Sequence, residues 1–115
     1  MATFSKLALT GTPASGRMIK ITTTATAGDT LHTAHATALD EVWLWAVNSD
    51  TTARKLTIEF GGVASPDDLI EFTVPAEDGL YQIMPGLILT GGLIIRAFCA
   101  TANVVMIGGY VNRIT

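Results

Sequence analysis

The sequence predicts an all-β protein, a single β-sandwich or jelly-roll-like domain of about eight antiparallel strands. Three observations lead there. Apolar residues recur with a period of two along most of the chain. Turn residues interrupt that pattern about every 8–12 positions. Helix signals are confined to Thr33–Leu39, an Ala/Thr-rich stretch too short to stand alone. At 115 residues the chain has the size of one domain.

Residues 1–16, rich in Thr, Ser, Gly and Ala, read as an N-terminal arm, either extended or frayed, ahead of a sandwich domain spanning 17–115. Arg17–Ala25 is the first strand expected, because Thr22-Thr23-Thr24 suits a half-exposed pleated surface. Leu31–His35 and Glu41–Asn48 follow. Lys55–Phe60 alternates cleanly, with Leu56, Ile58 and Phe60 on one face and Lys55, Thr57 and Glu59 on the other. After the Gly61–Asp68 loop, Leu69–Val74 turns Ile70, Phe72 and Val74 inward, which makes the pair a hairpin. Leu80–Met84, Leu93–Cys99 and Val104–Val111 complete the set. Pro75–Gly79 and Pro85-Gly86 read as punctuation, and Gly61-Gly62, Gly91-Gly92 and Gly108-Gly109 as turns and bulges.

Composition excludes several classes. A net charge of −3 and seven scattered Lys and Arg give no nucleic-acid footprint. No apolar run approaches the ~18 residues of a membrane helix. Met1–Lys6 lacks the basic-then-apolar order of a signal peptide, so synthesis in a reducing cytosol is expected. The single Cys99 rules out an intrachain disulfide and any multi-cysteine metal site.

The chain is nonetheless 49% hydrophobic and only 15% charged, against ~25% charged in typical domains. Three strands are apolar on both faces. In Glu41–Val47, Trp43, Trp45 and Val47 alternate with Val42, Leu44 and Ala46; Leu93–Phe98 and Val104–Ile107 behave alike. A two-layer sandwich needs one apolar face per strand. The second face is therefore covered either by another subunit or by the chain's own loops or arm.

Candidate chemistry is sparse. His32 and His35, with Asp29 nearby, lack a third ligand and the zincin Glu, and read as exposed loop histidines. Asp67, Asp68 and Glu71, and Glu77-Asp78-Gly79, read as turn chemistry rather than a glycosidase pair or calcium loop. Cys99 sits in an apolar strand, and Ser5, Ser15, Ser49 and Ser65 lack a nucleophile elbow. No phosphate-cradling glycine loop is present in the sequence. The expectation is a protein that is not an enzyme, with no catalytic residue, cofactor or metal. Trp43 and Trp45 share a strand face, as a sugar platform would require, but core or subunit interface is the simpler reading.

Ala38–Asn48, Leu56–Gly62, Pro66–Glu71, Pro75–Tyr81 and Gly109–Ile114 resemble small virion proteins encoded beside capsid genes of tailed bacteriophages. The likeness covers about residues 17–115 and rests on structural segments, not catalytic signatures. It implies a capsid decoration (cement) protein: a homotrimer that binds the major capsid protein on the outer surface of the virion and braces the head against packaged DNA. On that reading Thr3, Phe4, Lys6 and Leu7 are the expected capsid contacts. Trp43 and Trp45, with Ile94 and Phe98, are the expected core or trimer interface. Two alternatives stay open: a tail, neck or spike-base component, and a glycan-binding sandwich. A small hydrolase built on the acidic patches ranks last, since no convergent site can be assembled.

Overall fold

The computed structural model describes residues 2–115. Nine strands follow in order: β1 (Phe4–Ala8), β2 (Ile19–Lys20), β3 (Asp29–Thr33), β4 (Leu39–Asn48), β5 (Arg54–Phe60), β6 (Leu69–Val74), β7 (Tyr81–Leu89), β8 (Ile94–Cys99) and β9 (Val105–Ile114). No helix forms among the described residues. Sheet 1 has the order β1-β9-β4-β7, with β2 also paired to β9. Sheet 2 has the order β3-β8-β5-β6. Every pairing is antiparallel.

Counting β1 and β2 as one interrupted strand leaves eight, and the first pairs with the last, the second with the seventh, and so inward. That nesting is what a long antiparallel ribbon produces when it folds over on itself, and it is the jelly roll. The two inner faces meet in one core. Val42, Leu44 and Ala46 of β4 face Leu56 and Ile58 of β5 and Ile95, Ala97 and Cys99 of β8, with Ile107 and Val111 of β9. All are at most 1% exposed, so each large side chain contributes about 1.5–3 kcal/mol of transfer free energy.

The structure revises the course of several segments. Of residues 1–16, expected as an arm either extended or frayed, Phe4–Ala8 is extended and pairs with Tyr110–Ile114 along the edge of sheet 1. Of Arg17–Ala25, Ile19 and Lys20 alone pair in a ladder, while Thr22 and Thr23 turn to hold Asp29. Pro85-Gly86 does not end β7. Trp43 pairs with Pro85 and Val42 with Leu87, so Gly86 is the extra residue of a bulge, with φ +82°. Gly108-Gly109 is likewise no turn. It lies inside β9 opposite Trp45 and Leu44, where a Cβ on Gly109 would overlap the Trp43 carbonyl.

Buried polar groups are paired. Glu59, expected on the open face of β5, is fully buried beneath the 24–28 loop. It accepts hydrogen bonds from the Thr26 hydroxyl and from the Gly28 N–H at 2.7 Å. His32 is not an exposed loop residue either, being a fully buried member of β3. His35 is exposed, and its Nδ1 accepts the backbone N–H groups of Thr37 and Ala38.

Candidate functional site

The outer face of sheet 1 gathers most of the residues singled out from sequence. Directly opposed residues on neighbouring strands share a face, so the register defines its rows. Phe4, Ile114 and Leu39 form one row, and Lys6, Asn112, Glu41 and Ile88 the next. Ala8, Tyr110 and Trp43 form the third, and Gly108 with Trp45 the fourth.

The centre of this face is aromatic. The Tyr110 ring stacks on Trp43 with centroids 6.2 Å apart and planes 12° apart, and on Trp45 at 5.9 Å and 27°. Such offset pairs add about 0.5–1.5 kcal/mol each beyond area burial. The Lys6 ammonium sits 4.8 Å from the Tyr110 ring centre, within cation–π range. Gly86 and Gly108 leave the room this layer needs: a Cβ on Gly86 would meet the Trp43 ring, and one on Gly108 would touch Met18.

Glu41 holds the polar row together. Its Oε1 accepts the Asn112 amide at 3.0 Å and the Trp43 indole N–H at 2.7 Å. These two hydrogen bonds, the Asn112 one foremost, hold the Glu41 carboxyl below its ordinary range. The indole is thereby locked in one orientation. Around these polar groups the face is apolar and open: Phe4 is 70% exposed, with Leu39 and Ile88 also exposed.

Thr3 continues β1 by exchanging backbone hydrogen bonds with Thr115, and Leu7 is half-buried on its inner side. Ile94 and Phe98 do not join Trp43 and Trp45. They are half-buried on the outer side of β8, in sheet 2. On sheet 2 the 24–28 loop covers Glu59; on sheet 1 the rings half-cover one another and Met18 reaches over Gly108.

Tyr110, Asn112 and Glu41 are not among the site residues expected from sequence. Tyr110 and Asn112 alternate within Gly109–Ile114, but the expected strand ends at Val111. No group of three or more His, Cys, Asp or Glu among the described residues is placed to hold a metal ion. No family model matches the chain, and no curated protein matches it.

Proposed function

We propose that this chain is a virion structural protein of a tailed bacteriophage. It acts as a capsid decoration (cement) protein that self-associates as a trimer, binds the major capsid protein on the outer head surface and resists internal DNA pressure. The observation that carries the reading is the outer face of sheet 1. A stacked Trp43–Tyr110–Trp45 layer borders an apolar edge of Phe4, Leu39 and Ile88 with no partner in the single chain. Large aromatics ringed by polar groups dominate the energetics of protein interfaces. A two-sheet jelly roll supplies the rigid body such a brace requires, and the resemblance of Ala38–Asn48 and Gly109–Ile114 to phage virion proteins supplies the setting. On a repeating lattice, modest contacts suffice because binding is multivalent.

Quantitative mass spectrometry of purified particles tests the proposal by counting this chain against the major capsid protein. A ratio near one supports lattice-wide decoration. A few copies per particle would move the chain to a neck, tail or spike base, and absence would overturn the virion reading.

A second reading, a glycan-binding face, is favoured by the same rings with Lys6, Glu41 and Asn112 beside them. Indole fluorescence that responds to a sugar in a broad glycan panel supports it. A flat response removes it.

A further inference from the structure

The two flanks of the sandwich differ in charge and in shape. One flank is bounded by β2 of sheet 1 and β3 of sheet 2, the other by β7 and β6. Beside β2 and β3 opens a cleft of about 570 Å³ whose lining includes Pro13, Arg17, Met18, Lys20 and Asp29. Asp29 is turned to its own chain: its carboxylate accepts the Thr22 N–H at 2.5 Å, the Thr22 hydroxyl at 2.8 Å and the Thr23 N–H at 3.0 Å. Arg17 and Lys20 are exposed, and the ion pairs among the described residues involve neither. The Ile21 N–H bonds to Val105, so in an antiparallel ladder the backbone N–H and C=O of Lys20 face the open side.

The opposite flank carries a projecting acidic turn. Between β6 and β7 the chain runs Pro75-Ala76-Glu77-Asp78-Gly79-Leu80, with two carboxylates and no cation. Glu77 and Gly79 have φ of +47° and +78°, and the Glu77 N–H ties the turn to the Asn48 carbonyl at 3.0 Å. Leu80 is 63% exposed. Cleft and turn are therefore complementary twice over: carboxylates for Arg17 and Lys20, and Leu80 for the apolar Met18 and Pro13.

They also lie level along the strands. Lys20 pairs with Met106, which pairs with Val47; Tyr81 pairs with Ala46, and Glu77 is anchored on Asn48. A neighbour therefore reaches this contact with little axial shift. Head-to-tail contacts close into rings where the rotation between copies closes and grow filaments where it does not.

We propose that the Glu77-Asp78-Gly79-Leu80 turn of one copy docks in the Arg17–Lys20 cleft of the next, building a head-to-tail oligomer of this chain. The contact gives surfaces to the self-association proposed above and rests on that part of the reading alone.

Light scattering on the full chain at low salt tests it. Wild type is expected to be an oligomer. Arg17→Glu with Lys20→Glu, and separately Glu77→Lys with Asp78→Lys, are each expected to drop the mass to the 12.1 kDa of one chain. The variant carrying all four changes restores opposite charges across the contact and is expected to recover the oligomer. The four positions are exposed, so unchanged circular dichroism and melting show that each variant keeps its fold. A monomeric wild type, paired variants that keep the wild-type mass, or a fourfold variant that stays monomeric would each overturn the contact. Particle counting judges the decoration reading separately: a ratio near one with a monomeric free chain would retain decoration and reject this contact.

Discussion

His32 of sheet 2 and Asp40 of sheet 1 meet across the sandwich with Nε2 and Oδ2 2.7 Å apart, both side chains fully buried. The remaining polar atoms of the pair are also satisfied. Arg113 of β9 donates its Nε to Asp40 Oδ1 at 2.8 Å and an η nitrogen to Oδ2 at 3.0 Å, and the His35 N–H adds a third donor. On the far side of the ring, His32 Nδ1 accepts the Thr10 N–H at 3.3 Å. A carboxylate can only accept and a backbone N–H can only donate, so the network assigns the neutral Nε2–H tautomer. The N-terminal stretch is thus tied to the core through Thr10.

Asp40 makes stability fall in acid. Burial raises its carboxyl, but the hydrogen bonds from Arg113, His32 and the His35 backbone outweigh this and hold it at about 2, against an ordinary 3.8. Between those values the unfolded chain binds the extra proton, so stability rises with pH through the window. The stabilisation, about 2 kcal/mol, is complete above pH ~4 and is lost as pH falls towards ~2. Urea midpoints measured from pH 5 to pH 2 should show this slope, and Asp40→Asn should flatten it. An equally steep profile in the variant would assign the acid loss to other carboxylates.

Gly109→Ala should destabilise by about 1–3 kcal/mol, because the new methyl enters the Trp43 carbonyl in the middle of β4 and β9. Gly79→Ala is the control. That residue has φ +78° but open space around it, so it carries conformational strain alone, about 1 kcal/mol. Equal denaturation midpoints for the two variants would contradict the close approach of β9 to β4.

Period-two alternation made β4, β5, β6 and β8 legible, because an inward apolar set survives in each without interruption. It missed the second half of β7, since the Gly86 bulge shifts the alternation by one residue. It missed β1, whose five residues make sense only against the distant edge of β9. The shared face of Trp43 and Trp45 was readable from their spacing of two. Tyr110 beside them was not, because the pairing of β4 with β9 joins distant parts of the chain. Ile94 and Phe98 were grouped with the tryptophans because local pattern says nothing about which sheet a strand joins. Glu59 looked solvent-facing for a similar reason: the 24–28 loop that covers it is remote in sequence.

Glu59→Ala should release that loop. The substitution leaves the Thr26 hydroxyl and the Gly28 N–H without their acceptor, at a cost of about 1–3 kcal/mol. Much of the effect should be local, with amide exchange at Gly28 accelerating more than at Ile58 or Ile95 in the core. Uniform acceleration across both sheets would mean that Glu59 supports the whole fold rather than one loop.

Trp45→Ser separates folding from docking on the outer face of sheet 1. Trp45 is half-buried, pairs with Gly108 and contributes one ring to the Tyr110 stack, while its strand neighbours Leu44 and Ala46 supply the core. Removing it should therefore leave cooperative unfolding in place. If the aromatic layer is the capsid contact, losing a central anchor costs about 2 kcal/mol of binding, roughly 30-fold in affinity. Leu56→Ala gives the opposite dissociation: it hollows the core and lowers stability by about 2–5 kcal/mol without touching the outer face. Titration of stripped capsids with both variants reads the difference. Trp45→Ser occupying capsids at the wild-type concentration would remove this face from the contact and turn attention to the outer side of sheet 2.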